Sequence, residues 1–199
     1  TVIRAKSFGP GMLSSSIVTK TYFVDETSTL PVVSLSTNPD YLFNQIFGIY
    51  VNYVHNWEKP ANIEFYGSDK ALMFNQDIGI EIYGGFSRRL VMKSLALKGD
   101  FKYKFFPDKN IDNFKKLILR NSGNDFGFTM YRDAMMQQLL KEKMDIDSQY
   151  YAPTVVYLNG QFWGIHNLRE VMDDSFIESN YDLNDKEIDL LEFKDAMVR

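Results

Sequence analysis

The sequence predicts an α+β fold, with antiparallel sheet carrying most of the core and a few helices beside it. Three observations point there. About nine runs read as strands and three as helices, and the strand runs follow one another across turns rather than across helices. Asn159-Gly160 sits between two apolar runs, the signature of a tight hairpin and so of antiparallel pairing. No strand–GxGxxG–helix unit and no Walker loop occurs, so neither a doubly wound α/β sheet nor the common dinucleotide and P-loop sites find support.

The elements follow in order. Thr1 to Phe8 alternates and Ile17 to Val24 is β-branched and aromatic, with Gly9-Pro10-Gly11 and Ser14-Ser15-Ser16 as turn residues between them. The polar stretch Asp25 to Thr29 offers no core residue. It divides the chain into a hairpin over 1–25, expected to be the last strands of a truncated β-sandwich module, and a main body over 30–199. Leu30 to Leu35 is dense enough in apolar residues for a buried strand. Thr37 or Asn38, then Pro39 and Asp40, start a short helix through Phe43 and Ile46 that Gly48 ends. Strands follow at Ile63–Tyr66, Ile78–Tyr83, Leu95–Lys98 and Leu117–Arg120, with another candidate at Phe101–Phe106. Phe128 to Met144 reads as the longest helix, with Met130, Ala134, Gln137, Leu140 and Met144 tracing one face. The Asn159-Gly160 hairpin joins Thr154–Leu158 to Phe162–Leu168. A helix over Asp173–Asn180 and a strand over Ile188–Phe193 complete the series.

Composition narrows the function classes. The chain has 199 residues, 45% of them hydrophobic, enough for about one domain with its own core. A net charge of −4 argues against a general nucleic-acid partner. No apolar run approaches the ~18 residues of a membrane span. Cysteine is absent, which excludes disulfides, thiolate metal sites and cysteine nucleophiles. The chain opens on Thr1 with no signal stretch, and the expectation is a processed product or a piece of a longer protein.

Several constellations could carry chemistry. Tyr83-Gly84-Gly85-Phe86-Ser87-Arg88-Arg89, followed by Lys93 and Lys98, joins a glycine turn to clustered cations in an acidic chain, a combination suited to phosphate. The same residues also describe a plain glycine hairpin turn with solvated basic flanks. The polar loop Leu119-Arg120-Asn121-Ser122-Gly123-Asn124-Asp125 either positions a ligand or caps the helix after it. Arg132-Asp133 is either a reach across to a strand lysine or an exposed pair. Asp173-Asp174 and Asp145 with Asp147 are candidate cation ligands or solvated acids. His55 and His166 are the only histidines and show no metal-ligand spacing, which disfavours a zinc enzyme. His166 reads as a strand histidine and Trp163 as core. No GxSxG elbow is present.

Taken together these blocks resemble the CotH spore-coat kinase family. Ile78 to Arg88 with Lys93-Ser94-Leu95-Ala96-Leu97-Lys98 resembles its glycine–serine–arginine–lysine block. Leu119 to Asp125, Arg132-Asp133, Tyr157 to Gly164 and Glu170 follow in the family's order, and Leu30 to Leu35 with Trp57 and Pro60 fit its start. The resemblance covers roughly 30 to 195. The opening hairpin is similar to the end of the chitobiase C-terminal-like β-sandwich that often precedes such domains.

The resemblance implies the N-lobe and hinge of an atypical protein kinase-like fold. It implies an exported protein, at the cell surface or outside the cell, that uses ATP and Mg²⁺ to phosphorylate secreted or surface proteins. In that picture Gly84, Gly85, Ser87 and Arg88 cover the phosphates, Lys93 or Lys98 grips them with Lys93 preferred, Asp133 orients that lysine, and Glu170 lies at the hinge near the nucleotide. The family's catalytic and metal-binding aspartates, the latter in a Trp-Asp-x-Asp-like segment, have no counterpart before Arg199. Gly84-Gly85-Phe86 also replaces the smaller or polar residues usual in that turn, so weak or absent binding of ATP and Mg²⁺ is expected of this chain alone. The chain is therefore expected to hold the nucleotide-binding part without its C-terminal lobe and not to transfer phosphate alone. The competing reading is a surface interaction module for protein or carbohydrate, with Tyr50, Tyr53, Trp57 and Tyr66 as contacts and no nucleotide.

Overall fold

A computed structural model describes the chain except residues 142, 182, 184–186, 193–194 and 198–199. Among the described residues the strands are β1 (Val2–Ala5), β2 (Val18–Thr21), β3 (Val32–Ser36), β4 (Lys59–Tyr66), β5 (Leu72–Tyr83), β6 (Ser94–Lys102), β7 (Asn113–Arg120), β8 (Tyr151–Leu158), β9 (Gln161–Glu170), β10 (Leu190–Glu192) and β11 (Asp195–Met197). The helices are α1 (Pro39–Phe43), α2 (Arg132–Leu140) and α3 (Asp174–Tyr181). None is long and apolar enough to cross a membrane.

Seven strands hydrogen-bond in the order β3-β4-β5-β6-β7-β9-β8 as a closed barrel, and β1-β2 and β10-β11 form two further small sheets. This overturns the α+β expectation and the kinase-like N-lobe and hinge implied with it. The protein is mostly β, with three short helices. The strands are longer than their apolar centres suggest: β5 runs 12 residues and β9 runs 10. Closure also uses a parallel pair, β3 with β8, which local alternation does not reveal. The separate strand at Phe101–Phe106 is not formed. Phe101 and Lys102 extend β6 past a register shift between Lys98 and Phe101.

The chain divides into two compact units. The first comprises Thr1–Glu81 and Pro153–His166. All five residues of β3 are buried: β4 and β8 pair with its two edges, and Val32, Val33 and Leu35 supply its apolar core residues. Val32, Tyr66 and Val155 pack with Phe23, Leu30 and Tyr157. Asn38 caps α1 by accepting the Asp40 amide at 3.0 Å, with Pro39 at the first position. The helix stops at Phe43, short of Gly48. Asn159 and Gly160 both adopt positive φ, 52° and 79°, as a tight hairpin turn requires.

The second unit comprises Ile82–Ala152 and Asn167–Arg199. Its core is Ile82, Leu95, Leu97, Phe101, Leu117 and Leu168 with their neighbours. Here the expected long helix shrinks to α2, nine residues, of which only Ala134 is buried. The final strand is found as β10, and Phe193 lies outside the described residues.

Candidate functional site

The second unit contains an open cleft of about 630 Å³. One side is the glycine turn after β5, Gly84 to Ser87. The other is the loop after β7, Ser122 to Asp125, with Arg120, Arg132, Asp133 and Met136. Gly84 has φ +103°, a conformation that suits glycine. A Cβ at Gly85 would meet nothing within 4 Å, so this backbone stands open to whatever enters.

Two buried polar residues knit the walls together. Ser94 Oγ donates to Asn121 Oδ1 at 2.8 Å and accepts the Asn121 amide at 2.9 Å. Asn121 Nδ2 donates to Met92 O at 2.6 Å. The lysine–serine block and the polar loop, separate in sequence, are thus one hydrogen-bonded structure. Ser122, at φ +68°, donates its hydroxyl to Met130 O.

Asp125 organises the far end of the loop. Its Oδ2 accepts from the Thr129 hydroxyl and from the Tyr131 and Arg132 amides, the latter two at 3.0 Å. It therefore caps α2 from outside the helix, as the helix-capping alternative for this loop anticipates. The Thr129 hydroxyl is the main reason its pKa falls to about 2. Burial opposes that fall, and the Arg132 and Thr129 amides and the Arg132 charge add to it. Since the folded pKa lies below the ordinary 3.8, the stabilisation is present above that value and lost as pH falls from 3.8 toward 2. The urea midpoint of Asp125→Asn is expected to lie well below the parent's at neutral pH, and the gap to close as pH approaches about 2. A gap independent of pH would sink this assignment.

The candidate residues fall into three groups. Gly84, Gly85, Ser87 and Asp133 line the cleft. Arg88 and Lys93 brace the turn: Arg88 Nη2 donates to Ile82 O at 2.6 Å, and the Lys93 ammonium donates to the carbonyls of Arg88 and Leu90. Lys93 thus faces the glycine turn and is only 5% exposed, and burial lowers its pKa from the ordinary lysine value. Lys98 and Glu170 are not among the lining residues described. Lys98 lies opposite Lys116 in the β6–β7 register. Glu170 forms a buried ion pair with Lys109 and accepts the Tyr150 amide at 3.0 Å.

Asp133 orients guanidinium groups. Its Oδ2 accepts from Arg120 Nε at 2.9 Å and from Arg169 Nη1 at 2.8 Å. Burial works against this carboxylate, but Arg169 and Arg120 outweigh it and hold its pKa below the ordinary value. Sequence reasoning did not single out Arg120 or Arg169 for a role, and Lys109 carried no signal at all. Each is defined by a partner 13 to 61 residues away.

The acid pairs do not gather into a metal centre. Among the described residues no group of three His or acid side chains could hold a cation. Asp173 pairs with Lys116 at 3.2 Å, and Asp147 accepts from the Tyr181 hydroxyl. Of the aromatic set expected for sugar or protein contact, Tyr53 and Trp57 are at least partly exposed, and two members are corrected. Tyr50 and Tyr66 are buried in the first unit, where Tyr50 accepts from Trp163 Nε1 at 2.9 Å and Tyr66 donates to Glu64 at 2.8 Å.

The lining sets Arg120 and Arg132 beside Asp133 and Asp125, and because the buried Arg169 shares Asp133 the group carries one surplus positive charge next to an open glycine turn, which suits an anionic group. The family comparison is more specific. The CotH kinase protein model matches residues 80–198, from within β5 through the whole cleft, and the chain belongs to the CotH kinase protein family. No curated protein matches the chain.

Proposed function

We propose that this chain is the nucleotide-binding part of a CotH-type kinase-like protein that phosphorylates secreted or cell-surface proteins with ATP, and that the cleft of the second unit receives the phosphates. One observation carries the reading: the Gly84–Ser87 turn and the Ser122–Asp125 loop, both in the matched family segment, line the same cleft with Arg120 and Arg132. The chain's residues fit the phosphates. The turn lets a ligand approach the backbone closely, and Arg120 and Arg132 supply charge beside it. Arg88 and Lys93 brace the turn from its flanks, Arg88 on the Ile82 carbonyl before it and Lys93 on the Arg88 and Leu90 carbonyls after it. When bound, ATP would supply the phosphoryl group for transfer. The described residues do not by themselves fit Mg²⁺. Asp125 and Asp133, the cleft's acids, are both bonded to protein donors and form no three-ligand group.

Calorimetric titration of Mg-ATP into the chain tests this. Saturable binding is expected, weakened about tenfold by Arg132→Glu, because that exposed side chain contributes charge to the cleft. A folded chain that takes up no Mg-ATP at millimolar concentration would overturn the reading.

A further inference from the structure

The cleft holds a cation whose geometry no sequence motif announces. Arg120 ends β7 and lines the cleft. Its Nε is tied to Asp133 at 2.9 Å, while Nη1 and Nη2 make no hydrogen bond among the described residues. The guanidinium lies against the Gly123 turn: a Cβ at Gly123 would stand 3.0 Å from Nη2 and 3.5 Å from Cζ. Gly123, at φ +57°, thus provides the space that this side chain uses. The base of the group is fixed, and its two terminal nitrogens lack partners among the described residues.

The charges around it are arranged to leave a surplus. A single Arg–Asp pair would be neutral. Here Asp133 is shared with Arg169, which is 1% exposed, and two guanidinium groups on one carboxylate leave the cluster at +1. Arg169 is held further by Gln149 Oε1 at 3.3 Å, and Gln149 is bonded to Gln137 and to Glu170 O. Arg169 and Asp133 are therefore positioning residues for Arg120. The Lys93 ammonium, by contrast, is on backbone carbonyls beneath the turn.

We infer that Arg120 grips the phosphate of the bound ligand, presenting Nη1 and Nη2 as a fork to two phosphate oxygens, while Asp133 and Arg169 hold it in place. Planar two-point recognition of this kind is what arginine offers and lysine does not. The inference rests on reading the cleft as a nucleotide site, and the experiment separates the two.

Mg-ATP and inorganic tripolyphosphate are titrated into the parent chain and into Arg120→Lys, which keeps the charge and loses the fork. The parent is also treated with phenylglyoxal with and without each ligand, with modification of Arg120 read by peptide mass spectrometry, so the result does not depend on the variant folding. Expected are binding of both ligands, a loss of about tenfold or more in Arg120→Lys, and protection of Arg120 by either ligand. If the parent binds Mg-ATP but Arg120→Lys binds it within about twofold and Arg120 is modified equally with and without it, the Arg120 assignment falls and the nucleotide reading stands. If tripolyphosphate binds through Arg120 and Mg-ATP does not bind, the nucleotide reading falls and the fork stands. Binding of neither by a folded chain overturns both.

Discussion

Glu170→Ala is expected to cost roughly 3–5 kcal/mol of folding stability, the range for breaking a buried ion pair from one side. The side chains of Glu170 and Lys109 are 3% and 7% exposed. Glu170 takes the Lys109 ammonium on Oε1 and the Tyr150 amide on Oε2. Removing it leaves a charged amine and an amide without their acceptor in the interior. The Tyr150 and Phe176 rings, 4.8 and 5.1 Å from the ammonium, soften that loss without replacing a carboxylate. Because the penalty comes from the stranded lysine, Lys109→Met together with Glu170→Leu is expected to restore most of the stability, in line with apolar replacement of buried pairs elsewhere. Urea denaturation of the parent, the single variant and the double variant decides it. A single variant within about 1 kcal/mol of the parent, or a double variant no better than the single, would show that the pair does not carry this load.

The second large effect is expected at Asp133. Replacement by alanine leaves Arg169 in the interior with Gln149 as its remaining hydrogen-bond acceptor among the described residues, while its Nε and Nη2 already lack one. Arg120 loses its anchor in the same step. The expected cost is roughly 2–4 kcal/mol, below the full buried-pair figure because the Asp133 side chain is about a third exposed. Asp133→Asn keeps an oxygen acceptor and loses the charge, so it is expected to fall between alanine and the parent. The low folded-state pKa of Asp133 sets the sign with pH: its ionic contribution is present above the ordinary carboxylate value and fades as pH drops below it. Urea midpoints of the parent and Asp133→Asn are therefore expected to converge in acid. Equal midpoints at neutral pH would mean that the two arginines stand without it.

Local signals served well where one or two residues dictate backbone geometry. Asn159-Gly160 requires two positive φ angles, and Asn38-Pro39-Asp40 supplies a cap, a fixed φ and an acid to a helix start. They failed at α2. The periodicity over 128–144 continues through residues that Asp125 draws into a loop, and Met130 takes φ +58°, which a helix does not tolerate. Gly84, Gly85, Ser87 and Asp133 were legible as candidates because glycine turns and charges stand out in sequence; all four line the cleft, but Asp133 meets two arginines rather than the lysine expected for it. Arg120 was visible only as part of a polar loop, and Lys109 not at all, because its role exists only once Glu170 is beside it.

By itself the sequence determined the centres of most strands, the tight hairpin turn, the lack of cysteine and the family, since these depend on composition, on residues close together or on motif order. Tertiary structure decided the rest. The barrel depends on which strand edges meet, including the parallel pairing of β3 with β8, and hydrogen bonds between distant strands leave no local periodicity. The site depends on which cation each carboxylate meets: Asp133 takes Arg120 and Arg169, and Glu170 takes Lys109. Those partnerships arise from distances across the folded chain, where desolvation makes an ion pair selective, and no spacing along the sequence encodes them.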